Sequence, residues 1–207
     1  MISAASPSSD LLRRAARLQL LTIAWMTVEA IAAIVAAWMA QSPALLGFGG
    51  DSVIELFSAT VVLWRFRTHR DAAQAEKLTA RVAGGLLFLL AAFVLTTSTL
   101  SLLGYGKPRP SSIGIVVLVL AAAGMPWLAS QKRKLASQLS SASLRADSAE
   151  SALCGYLSLI ALAGLMANSF LRTPWADPVA ALVLVPLIVK EAREALRAPR
   201  LSCGCAI

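Results

Sequence analysis

The chain has 207 residues, of which 57% are hydrophobic and only 14% are charged. Because a soluble domain carries about 25% charged residues, this composition excludes an ordinary soluble protein. It indicates one compact all-α integral membrane protein. The formal net charge of +8 would suggest nucleic acid as a partner of a soluble protein. Here the positive charges flank apolar segments, so membrane topology explains them and no nucleic acid is expected.

Six apolar stretches follow one another along the chain, and several approach the ~20 residues that a membrane-spanning helix requires. The first follows a basic segment, as in a signal peptide, but it is too long for the apolar region of one. We therefore predict a six-helix transmembrane bundle. The predicted spans are residues 18–40, 44–64, 82–103, 111–129, 144–170 and 175–189.

The distribution of basic residues predicts the orientation. If all six stretches cross the membrane, sixteen of the nineteen Lys and Arg residues lie on one side. The basic side is cytoplasmic, so both termini are expected inside the cell. The predicted organisation is a cytoplasmic tail at 1–16, a transmembrane domain at 17–196 and a cytoplasmic tail at 197–207.

Two acidic residues, Asp51 and Glu55, lie four positions apart inside the second stretch. This spacing corresponds to roughly 6 Å of rise and a little over one helical turn, so both side chains share one helix face. A charged side chain near the bilayer centre costs on the order of 3 kcal/mol on an insertion scale. Two acids on one face therefore require a cation, a proton or a partner to offset that cost.

The fifth stretch carries a second pair at the same spacing, Glu150 and Cys154. The second and fifth stretches run in opposite directions, which brings the two pairs to a similar depth in the membrane. Together they form a candidate divalent-metal site. The mixture of hard carboxylates and a soft thiolate suits a borderline ion such as Zn²⁺, with Cd²⁺ or Co²⁺ close behind. Ca²⁺ and Mg²⁺ prefer oxygen ligands alone and fit poorly.

Structural alternatives are open for these residues. The acids of the first pair could be protonated and serve only packing, and a buried cysteine such as Cys154 is usually a small apolar residue. Glu29, alone in the first stretch, is either a proton relay or half of a buried ion pair. Asp147 fits the N-terminal cap of the fifth helix. Both Glu29 and Asp147 are accessory candidates for the metal site.

The C-terminal tail contains Cys203 and Cys205 in a C-x-C arrangement. On the cytoplasmic side these cysteines are expected to be reduced. Only two residues follow Cys205, so the tail does not match the prenylation signal. The tail is interpreted either as an accessory site for a soft metal or as an inert end.

These residues resemble the transmembrane domain of the cation diffusion facilitator (cation efflux) family. In that family the second and fifth of six helices each carry a metal-binding pair at i, i+4, usually His or Asp followed by Asp. Residues 42–55 are similar to the first motif, with Asp51 and Glu55 in its ligand positions, and residues 144–154 to the second. Residues 175–180, Trp-Ala-Asp-Pro-Val-Ala, resemble the start of the sixth helix of the family.

The resemblance implies a homodimeric, proton-coupled exporter of a divalent transition metal, with no permanently bound cofactor and no enzymatic activity. The expected cargo is Zn-like, with Cd, Co, Fe and Mn as further candidates, because Glu55, Glu150 and Cys154 depart from the usual ligands. Neither a His-rich loop nor the cytoplasmic C-terminal domain of other members is expected. The expected location is a bacterial inner (plasma) membrane. Two alternatives stay open: an organic-cation exporter and a non-transporting membrane metal sensor or subunit.

Overall fold

The computed structural model describes residues 9–67, 72–139 and 142–201. Within these ranges the chain forms six α-helices and no β-strand, which confirms the all-α prediction. The helices are α1 (Ser9–Ala40), α2 (Pro43–Arg67), α3 (Ala72–Leu102), α4 (Ser112–Gln138), α5 (Ala142–Leu171) and α6 (Ala176–Leu201).

Five of these helices contain a segment long and apolar enough to cross a membrane. The segments are Arg13–Ala40, Pro43–Val61, Arg81–Leu102, Ser112–Gln138 and Asp147–Leu171. The sixth helix carries Asp177 in its first turn, is apolar from Pro178 to Val189, and then carries Lys190, Glu191, Arg193 and Glu194. The structure is thus a helical membrane bundle, while the crossing of α6 and the cytoplasmic location of both termini remain predictions.

The second helix is the centre of the bundle, since it packs against α1, α3, α5 and α6. Small residues permit close helix approach in membrane proteins, and Gly50 on α2 illustrates this. A Cβ atom at Gly50 would lie 2.5 Å from a methyl carbon of Leu90 on α3. The fold therefore holds α2 closely on several sides and fixes the residues that project from it.

A polar contact joins the starts of α2 and α6. Ser42 caps α2 by accepting a hydrogen bond from the Leu45 backbone N–H at 3.1 Å, and its hydroxyl donates to Asp177 Oδ1 at 2.6 Å. Ser42 and Asp177 are both buried. Because a capping hydroxyl satisfies a backbone donor that the helix itself leaves unpaired, this contact sets where α2 begins.

The boundary between α4 and α5 differs from the sequence prediction. The predicted fourth span ends at residue 129, but α4 continues to Gln138 and includes the basic run 132–134. The fifth helix begins at Ala142, so Asp147 lies inside the helix rather than at its cap. As a result, Lys132 is fully buried against α5 instead of being exposed in a loop.

Candidate metal centre

Three of the four predicted ligands lie together between α2 and α5. Asp51, Glu55 and Cys154 each offer a ligand atom, and these atoms all lie within 4.8 Å of one another. The three side chains are buried. Their spacing along each helix, together with the packing of α2 on α5, brings two carboxylates and one thiol to a common point. That donor set suits a borderline divalent ion.

Glu29 on α1 adjoins this cluster. Its Oε2 accepts a hydrogen bond from the Trp25 indole at 2.7 Å, while its Oε1 accepts from the Ser52 hydroxyl at 3.2 Å and lies 3.9 Å from Cys154 Sγ. Within the described part of the chain, no Lys or Arg pairs with Glu29. The structure therefore surrounds this buried acid with hydrogen-bond donors and places it beside the thiol.

A buried chain of polar contacts supports Glu55 from the other side. Lys132 Nζ lies 2.9 Å from Asp147 Oδ2 and donates a hydrogen bond to Ser151 Oγ at 2.8 Å. The Ser151 hydroxyl in turn donates to Glu55 Oε1 at 2.8 Å. Glu55 Oε2 has no hydrogen-bond partner among the described residues. One carboxylate oxygen is thus held in place while the other is available to a ligand.

Glu150 does not belong to the three-residue cluster but lines a cavity beside it. This cavity has a volume of about 170 Å³ and lies among α2, α3, α5 and α6. Among the residues that the structure describes, five acids line it and no Lys or Arg does. The acids are Asp51, Glu55, Glu150, Glu191 and Glu194.

Two residues that the sequence analysis did not single out contribute to this region. Lys132 was counted only among the sixteen basic residues of the predicted cytoplasmic side, and Glu191 lies beyond the predicted sixth span, which ends at residue 189. In the structure Lys132 pairs with Asp147, and Glu191 lines the same cavity as Asp51. No sequence signal distinguished Glu191, because a single sequence does not reveal which side of α6 faces the cavity.

The remaining accessory candidates are placed differently. Asp147 is engaged by Lys132, which makes it a structural counter-ion in this arrangement. Cys203 and Cys205 lie outside the described residues, so their suggested metal binding stays a prediction.

The arrangement is that of a helical membrane protein that gathers carboxylates and a thiol in its interior, a class of site suited to a cation. Residues 20–200 match the family described as the cation efflux transmembrane domain. The chain belongs to this family and is accordingly a membrane transporter of cations. A comparison with the sequences of curated proteins gives no match.

The buried ion pair generates a prediction about stability. Replacing Lys132 with Met leaves the Asp147 carboxylate buried without its partner, and breaking a buried pair in this way costs about 3–5 kcal/mol. The double variant Lys132→Met/Asp147→Leu removes both charges, so we expect it to lose much less. The measurement is the free energy of unfolding in mixed micelles.

Lys134→Met is the matched control, because Lys134 is exposed on the same helix. It should change the free energy of unfolding by no more than about 0.5 kcal/mol. A double variant that loses as much stability as Lys132→Met and Asp147→Leu lose together when measured singly would show that Lys132 and Asp147 do not stabilise each other.

Proposed function

We propose that the protein exports a divalent transition-metal ion from the cytoplasm in exchange for protons. The single observation that carries this proposal is the buried cluster of Asp51, Glu55 and Cys154. Membership of the cation efflux family supports transport, and the donor set supports the choice of ion. Two carboxylates and a thiolate favour Zn²⁺ or Cd²⁺ over ions that prefer oxygen alone.

Proton exchange follows from the chemistry of these ligands. Carboxylates and thiols bind a metal in their deprotonated forms, so protons compete with the ion for the same atoms. In the proposed cycle the site binds a desolvated ion while it faces the cytoplasm. The bundle then changes its access to the opposite side, where protonation releases the ion.

The other predicted residues, Glu150 and Glu29, have supporting roles in the proposed site. Glu150 lies at the adjoining cavity, and Glu29 orients the Cys154 thiol and Ser52. From the family resemblance we further propose a homodimer in a bacterial inner membrane. The transported ion is cargo, and no bound cofactor and no enzymatic reaction are part of the proposal.

The organic-cation alternative is disfavoured by the size and lining of the cavity. Pockets for drug-sized molecules measure about 300–1,000 Å³ and are rich in aromatic side chains. The cavity beside Asp51 measures about 170 Å³, and the apolar side chains that line it among the described residues are aliphatic. A non-transporting sensor is distinguished from an exporter by transport in sealed vesicles.

Removing either acid of the first pair should abolish metal transport. Asp51→Ala and Glu55→Ala each delete a proposed ligand, so the loss should exceed the roughly 10–100-fold effect of losing a supporting partner of a metal ligand. Neither change should impair insertion, because removing a carboxylate from an apolar setting lowers the cost of insertion. The measurement is metal-dependent proton flux in proteoliposomes.

Asp10→Ala, at an exposed acid near the start of α1, is the control and should transport at the parent rate. Parent-level transport by Asp51→Ala and Glu55→Ala would refute the assignment of the site.

Substitutions of Cys154 should change the ranking of ions. Cys154→Ser preserves size but weakens the soft ligand, so transport of Cd²⁺ and Zn²⁺ should fall more than that of Mn²⁺. Cys154→Asp should shift preference towards Mn²⁺. Uptake of the three ions by vesicles containing each variant provides the measurement.

If Cys154 served only packing, the serine variant would be nearly silent and the aspartate variant would reduce uptake of every ion alike. An unchanged ion ranking in both variants would remove Cys154 from the site. Cys203→Ser/Cys205→Ser is the cysteine control, since it alters only the tail.

A further inference from the structure

We propose that Ser151 is a specificity-determining residue of the cation site, because it restricts Glu55 to one coordinating oxygen and so favours Zn²⁺ over the larger Cd²⁺. This inference rests on the proposed function, since it concerns the same site. Ser151 is not itself a ligand but a positioning residue that acts through Glu55. The thiol of Cys154 suits both ions, so another feature of the site must separate them.

Ser151 lies on the face of α5 that points into the bundle. Four residues at intervals of three or four are each at most 1% exposed, namely Asp147, Ser151, Cys154 and Ser158. Residues at these intervals share one face of a helix. The helix that supplies the thiol of the site therefore also supplies the hydroxyl that contacts Glu55.

The hydrogen of the Ser151 hydroxyl is directed onto Glu55. Lys132 Nζ lies 2.8 Å from Ser151 Oγ, and an ammonium group can only donate, so the serine oxygen is the acceptor. Two acceptors then compete for the one hydroxyl hydrogen: Glu55 Oε1 at 2.8 Å and the Asp147 backbone carbonyl at 3.2 Å. Hydrogen bonds to carboxylates are stronger than those to neutral carbonyls, so the bond to Glu55 prevails.

Other buried serines of α5 show that this contact is specific to Ser151. Ser148 donates to the Arg145 carbonyl at 2.7 Å, and Ser158 donates to the Gly155 carbonyl at 2.8 Å. Both bonds stay within the helix, as is common for serine inside a helix. The shortest bond that Ser151 donates instead leads to another helix and ends on a proposed metal ligand.

This contact occupies one of the two Glu55 oxygens. Oε1 accepts from Ser151, whereas the buried Oε2 has no hydrogen-bond partner among the described residues. Coordination of an ion through both oxygens would weaken the bond from Ser151. Lys132 resists that loss, because it holds the serine oxygen from α4 while it pairs with Asp147. Glu55 is therefore held as a ligand that binds through one oxygen.

The number of oxygens that Glu55 offers matters for the size of the ion. Zn²⁺ is commonly four-coordinate in proteins and binds carboxylates through single short bonds. Larger ions take more ligands, and Ca²⁺, with about six to eight, often uses both oxygens of one carboxylate. Cd²⁺ is larger than Zn²⁺ and shares its affinity for thiolate. Restriction of Glu55 to one oxygen thus disfavours Cd²⁺ relative to Zn²⁺.

The experiment compares the affinities of Zn²⁺ and Cd²⁺ for the same site. The protein is the full chain with Cys203→Ser and Cys205→Ser, purified in detergent, so that Cys154 is its only thiol. The ultraviolet Cd–thiolate charge-transfer absorption gives the dissociation constant of Cd²⁺. Its loss on addition of Zn²⁺ gives the dissociation constant of Zn²⁺ by competition. The free energy of unfolding of each variant is measured alongside.

In Ser151→Ala the ratio of the two dissociation constants should shift towards Cd²⁺ by about 10-fold or more, the size of effect expected when a partner of a metal ligand is removed. This variant should fold, since alanine is the best helix former and Lys132 retains Asp147 as its partner. Ser151→Thr keeps the hydroxyl and should keep the parent ratio. Ser158→Ala is the matched control, because this buried hydroxyl donates within its own helix, and it should also keep the ratio.

An unchanged ratio in Ser151→Ala, whether both ions bind more weakly or neither does, would overturn the role of Ser151 and leave the proposed function intact. A ratio in Ser151→Thr that equals that of the alanine variant would also overturn it, because the hydroxyl would then not be the cause. A parent protein in which Cd²⁺ produces no charge-transfer absorption would instead contradict the proposed metal site.

Discussion

The structure depends on one constraint, which is that carboxylates inside an apolar bundle must be compensated. A buried charge without a partner is far more costly than a buried apolar group. The protein meets this constraint in three ways. Lys132 neutralises Asp147, hydrogen-bond donors surround Glu29, and Ser42 donates to Asp177. Glu55 differs, because only its Oε1 accepts a hydrogen bond, while its buried Oε2 has no partner among the described residues. Within the same residues no Lys or Arg pairs with Glu55 or with Asp51.

Acids with a protein partner, such as Asp147, stabilise the bundle, whereas in our proposal the acids without one bind the transported ion. The Lys132–Asp147 pair ties α4 to α5, and its contact through Ser151 fixes one oxygen of Glu55. The other oxygen of Glu55 is left without a partner. In our proposal that oxygen is completed by the transported ion. Glu55 is therefore in contact with both kinds of partner. Ser151, which is bonded to Lys132, holds one oxygen, and in our proposal the transported ion binds the other.

The sequence was sufficient for the elements with a strong periodic or compositional signal. Long apolar stretches predicted the helical bundle, and the i, i+4 spacing placed Asp51 and Glu55 on one face. The sequence could not show that α4 continues through 132–134, because a basic run after an apolar segment also fits a loop. For the same reason Asp147 fitted a helix cap until α5 was seen to begin at Ala142.

The contacts between helices at the site could not be predicted from the sequence. The spacing predicted Glu150 and Cys154 equally as metal ligands. The rotation of α5 relative to α2 decides which of them joins the cluster. Cys154 does so, whereas Glu150 lines the cavity. The position of Glu191 in the same cavity as Asp51 depends on how α6 packs on α2. Neither rotation nor packing partner follows from helical periodicity, which fixes only the faces of single helices.

The most direct test of the central claim is the X-ray absorption spectrum of Zn²⁺ bound at one equivalent to the full chain. The tail cysteines are replaced by serine, so that any thiolate sulfur must come from Cys154. The account predicts one sulfur ligand at about 2.3 Å, with oxygen ligands at about 2.0–2.2 Å. It also predicts loss of the sulfur contribution in Cys154→Ser. A first coordination shell without sulfur in the parent protein would contradict the account.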